Sequence, residues 1–213
     1  GPPGVATGCQ TGRVIRCVVF DLGQVLSSPP TLYTEPATLL GVDPAAFEAA
    51  YWGANRVEYD RGGSDVAYWG PILTSLGKPA APETVRTLAQ LDARLWVEGM
   101  RPEALRVVRD VRAAGRLVAI LSNAPFALDL ALTDAPYAGD ADYWFVSASM
   151  GVTKPDPAVY FRVQEVVDLE PAELAFIDDR PANVYGARQA GWEAHLFVDD
   201  ADTRAWLVGL GVL

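Results

Sequence analysis

One sequence feature constrains the fold more than any other: an apolar, β-branched run that stops abruptly at an aspartate. The run extends from Val14 to Phe20, and Asp21 follows it directly. A continuous apolar strand of this kind is typical of a central strand in a parallel sheet, because such a strand is buried on both faces. Shorter runs of the same type recur at Leu117–Leu121, Trp144–Val146, Leu174–Ile177 and Ala194–Val198. We therefore predict that these runs are strands of one mostly parallel sheet.

Helical segments are expected between these strands. The sequence favours helices at Pro102–Ala114, Asp156–Val167, Pro181–Ala190 and Asp200–Leu210. Pro102 and Pro181 suit the first turn of a helix, and Gly115 and Gly191 stand where helices commonly end. Strands and helices that alternate at this spacing indicate βαβ units. The predicted fold class is therefore α/β, with a doubly wound parallel sheet.

A long segment after the first predicted strand breaks this alternation. Between Thr31 and Glu98 no strand-like run occurs, and glycines separate helical segments at Thr34–Leu40, Pro44–Trp52, Asp65–Leu76 and Pro82–Val97. We predict a core formed by residues 14–30 and 99–213, with residues 31–98 inserted as a helical cap over the strand ends. Residues 1–13 are rich in Gly and Pro and are interpreted as a tag remnant or disordered N-terminus.

Charge and composition exclude several classes of partner. The net charge is −10, and no run of five Lys or Arg residues occurs, which argues against nucleic acid and against an anionic membrane surface. No apolar run approaches the ~20 residues that span a bilayer. The chain contains two cysteines, too few for a disulfide framework or a zinc cluster. We expect a cytoplasmic protein.

Polar residues follow four of the predicted strands. Asp21 ends the first strand, Ser122-Asn123 the second, and Asp178-Asp179 the fourth, while Lys154 lies in the loop after the third. In a doubly wound sheet the loops at the carboxyl ends of the strands meet in one crevice. We therefore expect these side chains to lie close together.

The residue types in this crevice suit phosphoryl transfer through a covalent intermediate. Asp21 is a candidate nucleophile for phosphorus. Asp178-Asp179 would repel Asp21 and an anionic substrate unless a hard cation such as Mg²⁺ were bound. Lys154 and Ser122 could bind the oxygens of the phosphoryl group.

Four ordered motifs resemble those of the haloacid dehalogenase (HAD) superfamily. They are Phe20-Asp21-Leu22-Gly23-Gln24-Val25-Leu26, Leu121-Ser122-Asn123, Lys154-Pro155-Asp156-Pro157, and Ile177-Asp178-Asp179-Arg180-Pro181-Ala182-Asn183-Val184. The first is similar to the variant with glycine two places after the nucleophile, as in capped members of the family. No single motif is specific, but the ordered set is. The resemblance implies a Rossmann-like core with a helical cap, and a protein that is a monomer or homodimer.

The resemblance also implies a role for each site residue. Asp21 would be the nucleophile and a Mg²⁺ ligand, joined by the carbonyl of Gly23 and by Asp178. Asp179 would bind Mg²⁺ through water or orient Lys154. Further expected residues are Ser122 and Lys154 for catalysis and phosphoryl binding, Asn123, Gln24 and Arg56 for substrate binding, and Asn183 as a support for the metal ligands. Tyr59 and Arg61 are additional candidates for the substrate pocket. Most aromatic residues of the inserted segment are expected to pack its helices together, and one or two of them to line the pocket: Trp52, Tyr59, Tyr68, Trp69 and Trp96.

Gly23 departs from the commonest form of the family, which has a second aspartate there as general acid and base. Glycine can do neither, and a positioned acid or base is typically worth ~10²–10⁴-fold in rate. We therefore expect slow turnover, or substrates whose leaving group needs little protonation.

Three functions remain open from the sequence. The leading hypothesis is a Mg²⁺-dependent phosphatase that acts on a small phosphorylated metabolite through an aspartyl-phosphate. The second is a metal-independent 2-haloacid-type dehalogenase, in which halide leaves without a proton. The third is a catalytically weakened protein that binds a phosphate ligand.

Overall fold

The computed structural model describes residues 14–53 and 55–213. Within them a single five-stranded sheet has the order β3-β2-β1-β4-β5, and every neighbouring pair of strands is parallel. The strands are β1 Cys17–Phe20, β2 Leu117–Ser122, β3 Tyr143–Val146, β4 Leu174–Asp178 and β5 Glu193–Leu196. The predicted doubly wound parallel sheet is therefore confirmed. The predicted N-terminal remnant at residues 1–13 lies outside the described residues.

Helices occupy the connections between the strands. Between β1 and β2 lie α1 Thr34–Leu40, α2 Pro44–Tyr51, α3 Arg56–Asp60, α4 Asp65–Ser75, α5 Pro82–Glu98 and α6 Pro102–Ala113. The later helices are α7 Phe126–Thr133, α8 Ser147–Met150, α9 Pro157–Val167, α10 Pro181–Gln189 and α11 Asp200–Gly209. In the described chain, no helix combines the length and the apolar character that a bilayer crossing requires.

The sheet is buried on both faces, which explains why its strands are apolar along their whole length. In β1 the side chains of Cys17 and Val19 face one cluster of buried residues, and those of Val18 and Phe20 face another. The second cluster continues without a break into the helices α1 to α5, where Trp69 is 1% exposed. One hydrophobic core thus connects the sheet to the helical segment between β1 and α6.

The two chain segments that enter and leave these helices lie side by side. Ser27 forms a bridge with Met100, and Ser28 N donates to Gly99 O at 2.9 Å. The buried Ser27 hydroxyl donates to Trp96 O at 2.6 Å. Trp96 lies in the last turn of α5, where carbonyl groups have no partner within the helix. The Ser27 hydroxyl therefore satisfies a carbonyl in the last turn of α5 and joins this helix to the segment that follows β1.

Most predicted elements are present, with small differences at their ends. β1 begins at Cys17 rather than Val14, whose side chain is 55% exposed. The helices α3, α7 and α8 were not predicted from the sequence. The first and last have five and four residues, too short for a periodic pattern, while α7 is apolar on most sides and shows no amphipathic stripe.

We expect the substitution Ser27→Ala to lower the free energy of unfolding by about 1–3 kcal/mol, because it leaves a buried carbonyl without a donor. Urea denaturation measures this loss. The matched control is Ser28→Ala, since the Ser28 hydroxyl makes an exposed bond to Gln24 Oε1 at 3.2 Å. Its loss should stay within about 0.5 kcal/mol. Equal losses for the two variants would show that the Ser27 bond does not stabilise this junction.

Candidate active site

Asp21 lies at the carboxyl edge of the sheet, at its centre. Phe20 is in register with Ile120 of β2 and Ile177 of β4, and Asp21 N donates to Ile177 O at 2.9 Å. The next residues along these two strands are Leu121 and Asp178. The carboxylate of Asp21 is therefore placed between the ends of β2 and β4 by the register of the sheet itself.

Lys154 connects the three strand ends. Its Nζ atom donates to Asp21 Oδ1 at 2.8 Å, to Asp178 Oδ2 at 2.7 Å and to Leu121 O at 2.8 Å. The side chain is 1% exposed. Because an ammonium group has three donors, these contacts satisfy all of them, and two are charge-assisted. Lys154 thus holds Asp21 and Asp178 on either side of one positive charge.

The backbone of Lys154 is held by Asn123. Lys154 N donates to Asn123 Oδ1 at 2.8 Å, and Asn123 Nδ2 donates to Lys154 O at 3.0 Å. The amide side chain therefore pairs with both polar groups of one residue's backbone. This pairing joins the loop after β3 to the end of β2, and it fixes the backbone position from which the Lys154 side chain extends into the site.

Asp178 is fully buried and has its own set of donors. Asn183 Nδ2 lies 3.0 Å from each oxygen of Asp178, and Arg180 N donates to Asp178 Oδ1 at 2.8 Å. Asn183 is in turn fixed through its carbonyl, which accepts from Tyr160 Oη at 2.8 Å. The predicted support role of Asn183 is consistent with these contacts.

Three carboxylates meet at this point. Asp21, Asp178 and Asp179 each offer one oxygen, and these oxygens lie within 4.8 Å of one another. Lys154 contributes a single positive charge against three negative ones. The donor set is made of carboxylate oxygens, which suit a hard divalent cation such as Mg²⁺. The residues present therefore fit a divalent metal ion, which would relieve the repulsion among the three carboxylates.

The pKa values of the site residues also favour a bound cation. Burial raises the pKa of Asp21 to about 7, with Lys154 opposing the rise and Asp178 adding to it. Burial also raises the pKa of Asp179, again with Asp178 adding to the effect. Burial favours the neutral lysine, but Asp21 and Asp178 outweigh it and raise the pKa of Lys154 above its usual value. The crowded carboxylates are destabilised as anions, and a nearby cation would relieve this.

These groups open into a cavity of about 790 Å³. Asp21, Ser122 and Asp179 come from the sheet edge, and Ser122 is 4% exposed. The helical segment between β1 and α6 contributes the opposite wall, with Trp52, Arg56, Val57, Asp60, Arg61 and Trp96. A cavity of this size suits a small organic ligand.

The structure brings most of the predicted residues to this cavity. Gly23, Gln24, Asn123 and Lys154 line it, together with Arg61. Asp178 does not itself line the cavity, but it forms hydrogen bonds with Lys154 and Asn183, which do.

Two predicted pocket residues, Arg56 and Tyr59, are buried and bonded to other protein residues. Arg56 lines the cavity but is only 9% exposed, with its Nε 3.0 Å from Asp60 Oδ1. Tyr59 does not line it: the ring stacks on Tyr68 at 4.2 Å and its hydroxyl donates to Asp65 at 2.7 Å. Tyr59 therefore packs the helical segment together, which is the role expected for most aromatic residues of this segment, and it is not a pocket residue.

Asp60, Arg180 and Trp96 are among the cavity residues that were not singled out from the sequence as site residues. Asp60 lies on α3 between two predicted pocket residues, Arg56 and Arg61, and this spacing was the available signal. Arg180 follows Asp178-Asp179 directly in the fourth motif. Trp96 comes from the end of α5, and no local pattern indicates that its ring reaches Gly23.

The fold and this arrangement define a doubly wound α/β enzyme with a carboxylate-rich site at the carboxyl edge of its sheet. A family model described as haloacid dehalogenase-like hydrolase matches residues 15–191, and the chain belongs to that family. It is therefore a hydrolase. A curated relative, Phosphatase MT3486 of Mycobacterium tuberculosis, is 30% identical over 205 residues, covering 91% of this chain and 92% of that protein.

Solved structures share the fold. The HAD family enzyme BT-2542 of Bacteroides thetaiotaomicron, in complex with magnesium and inorganic phosphate, has a TM-score of 0.66 at 19% identity, covering 85% of this chain and 93% of that one. The L-2-haloacid dehalogenase of Xanthobacter autotrophicus, with chloropropionic acid covalently bound, has a TM-score of 0.69 at 20% identity, covering 94% and 85%. At these identities the likeness concerns the fold.

We expect Lys154→Met to lower the free energy of unfolding by about 3–5 kcal/mol, because Asp21 and Asp178 are left buried without their counter-charge. Denaturant unfolding measures the loss, and added Mg²⁺ should recover part of it. Lys78→Met, at the chain's other lysine, is the control and should change stability by less than about 0.5 kcal/mol. A Lys154→Met variant as stable as the wild type would contradict the central position of this lysine.

Proposed function

We propose that the chain is a Mg²⁺-dependent phosphatase that hydrolyses a small phosphomonoester through an aspartyl-phosphate on Asp21. The observation that carries this proposal is the meeting of three carboxylates, Asp21, Asp178 and Asp179, at a ligand-sized cavity, with Lys154 bonded to the first two. Three crowded carboxylates repel an anionic substrate unless a cation is bound. The phosphatase relative and the neighbour that binds magnesium and phosphate support the same function.

Asp21 is placed to act as the nucleophile. Its Oδ1 accepts hydrogen bonds from Leu22 N and from Lys154 Nζ, both at 2.8 Å. Oδ2 is then the oxygen that forms a bond to phosphorus as the bond to the leaving oxygen breaks. Water subsequently attacks the same phosphorus, which releases phosphate and restores the Asp21 carboxylate.

Gly23, through its carbonyl, and the carboxylates of Asp21, Asp178 and Asp179 would hold Mg²⁺. When bound, the ion supplies charge neutralisation for the phosphoryl oxygens. Asn183 donates to both oxygens of Asp178 and so keeps that carboxylate in one orientation. Partners of metal ligands of this type usually affect metal affinity strongly.

Ser122 would bind a remaining oxygen of the phosphoryl group, and Lys154 would contribute its positive charge, because its three donors already bond to Asp21, Asp178 and Leu121. Asn123 was expected to contact the substrate, but its amide already pairs with the backbone of Lys154. We assign Asn123 to the positioning of Lys154. Gln24, which lines the cavity beside Asp21, is assigned to ordering water or a substrate hydroxyl.

The cavity wall suggests the chemical class of the leaving group. Trp52 and Val57 line the cavity and are 41% and 55% exposed, and Trp96 and Leu128 line it as well. Indole rings and aliphatic side chains at a cavity surface favour an apolar or planar ligand. We therefore propose a phosphomonoester with an apolar or aromatic leaving group over a simple sugar phosphate.

Dehalogenation is the second candidate, and Gly23 is the observation that favours it, since halide leaves without a proton. The adjacent acids Asp178 and Asp179 count against it, because a metal-independent reaction gives them no function. Halide release from 2-chloropropionate in the presence of EDTA would place this candidate first.

The direct test of the phosphatase proposal is hydrolysis of p-nitrophenyl phosphate by the wild type and by Asp21→Asn, each with Mg²⁺ and with EDTA. Release of p-nitrophenol only by the wild type with Mg²⁺ is the expected result. The aryl leaving group needs little protonation, so the assay does not depend on an acid at position 23. Undiminished hydrolysis in EDTA, or by the variant, would overturn the proposal.

We expect Asn183→Ala to raise the Mg²⁺ concentration needed for half-maximal activity by about 10–100-fold. The midpoint of the Mg²⁺-dependent rise in thermal stability should shift in the same direction, which gives a readout independent of turnover. Tyr185→Ala, an exposed residue on the same helix α10, is the control. Unchanged Mg²⁺ dependence in Asn183→Ala would show that Asp178 does not need this support.

A further inference from the structure

Phosphate esters of ordinary alcohols leave slowly unless the departing oxygen receives a proton, and position 23 has no side chain to supply one. The ring of Trp96 lies 3.5 Å from the point where a Cβ at position 23 would stand. Trp96 is 6% exposed, and its Nε1 donates to Tyr51 Oη at 3.1 Å. The indole is thus fixed in the space beside Gly23, so a proton donor must come from another wall of the cavity.

Four carboxylates line the cavity in the described part of the chain: Asp21, Asp60, Asp156 and Asp179. Asp21 and Asp179 belong to the group that fits a metal ion. Asp156 is exposed and caps α9, with its Oδ1 accepting from Ala158 N at 2.9 Å. Asp60 is the remaining carboxylate.

Asp60 has unused hydrogen-bonding capacity. It is 8% exposed, and its Oδ1 lies 3.0 Å from Arg56 Nε, in an ion pair that lacks hydrogen-bond geometry. A buried carboxylate oxygen without a hydrogen-bond donor is uncommon in proteins and calls for an explanation. Oδ1 is closed to solvent, so the oxygen that a ligand in the cavity could meet is Oδ2, for which the described residues supply no hydrogen-bond donor.

The end of α3 is tied to the phosphate end of the cavity. Asp60 O accepts a hydrogen bond from the hydroxyl of Ser147, which is fully buried. The same hydroxyl accepts from Ala124 N at 2.9 Å. Ala124 lies two residues beyond Ser122 and also lines the cavity. Asp60 is therefore held in a fixed relation to the loop that follows β2.

We propose that Asp60 is the general acid and general base of this site, in place of the side chain that Gly23 lacks. This proposal rests on the phosphatase function proposed above. In the first step the Asp21 oxygen bonds to phosphorus, the bond to the leaving oxygen breaks with its electron pair on that oxygen, and protonated Asp60 gives it a proton. In the second step the Asp60 carboxylate takes a proton from water as that water bonds to phosphorus and Asp21 departs.

The charges around Asp60 are compatible with both steps. Burial raises the pKa of Asp60 above its usual range, while Arg56 on the same helix and Arg180 and Lys154 from the sheet edge oppose the rise. Asp92 on α5 is a further buried acid, and Asp60 contributes to raising its pKa. A carboxyl group with a raised pKa holds a proton closer to neutral pH than an exposed aspartate does.

The test compares kcat/KM of the wild type and Asp60→Asn for p-nitrophenyl phosphate and for an alkyl phosphate with an apolar chain. The variant should lose about 10²–10⁴-fold on the alkyl ester, the usual worth of a positioned acid. Its loss on the aryl ester should be markedly smaller, because p-nitrophenolate leaves without a proton. Equal losses on the two esters, or no loss on either, would overturn the assignment.

Two further variants keep the test decisive. Glu58→Gln alters an exposed acid on the same helix and should hydrolyse both esters as the wild type does. Arg56→Met/Asp60→Asn removes both members of the buried ion pair, so Arg56 is not left without its Asp60 partner if Asp60→Asn alone fails to fold. It should show the same selective loss on the alkyl ester. A wild type inactive on both esters would instead reject the phosphatase function itself.

Discussion

The buried ammonium group of Lys154 is the interaction on which the rest of the site depends. It joins the ends of β1, β2 and β4 through three hydrogen bonds of 2.7 to 2.8 Å. Burial of a charged lysine is costly, and the cost is offset only because two carboxylates and a carbonyl accept hydrogen bonds from its three N–H groups. The same geometry forces Asp21 and Asp178 to remain within reach of one charge.

The residues of this site do not balance their own charges, because carboxylates outnumber the lysine. Lys154 bonds to Asp21 and Asp178, Asp179 adds a third carboxylate, and burial raises the pKa of Asp21 to about 7. On the proposed function, a bound divalent cation would complete the charge balance, and a site that repels anions would then attract phosphate. The helical segment between β1 and α6 then adds what the sheet edge lacks: apolar surface for a leaving group, and Asp60 as a carboxyl group placed on the opposite wall.

The sheet and the sheet-edge residues could be predicted because their signals are local. Each strand is an apolar run that ends in its own polar residue, and parallel strands bring those ends together whatever the details of the connections. The opposite wall could not be predicted in this way. The contact between Gly23 and Trp96 joins residues far apart in the sequence, and it depends on how α5 packs rather than on any pattern near either residue.

The same limit explains individual differences. Tyr59 and Asp60 are neighbours on α3, yet Tyr59 packs against Tyr68 and Asp60 faces the cavity. A five-residue helix gives no periodicity from which to tell these faces apart. Asn123 lines the cavity, but its pairing with the backbone of Lys154 becomes visible only when the loop after β3 is seen against the end of β2.

The central claim is that Asp21 carries the phosphoryl group during turnover, and chemical trapping tests it most directly. Wild-type protein is quenched in acid during hydrolysis of an aryl phosphate, reduced with borohydride, digested, and analysed by peptide mass spectrometry. Reduction converts an aspartyl-phosphate into homoserine. We expect homoserine at position 21 in samples with Mg²⁺ and none in samples with EDTA. Turnover that leaves position 21 unreduced, or that places homoserine at another aspartate, would contradict it.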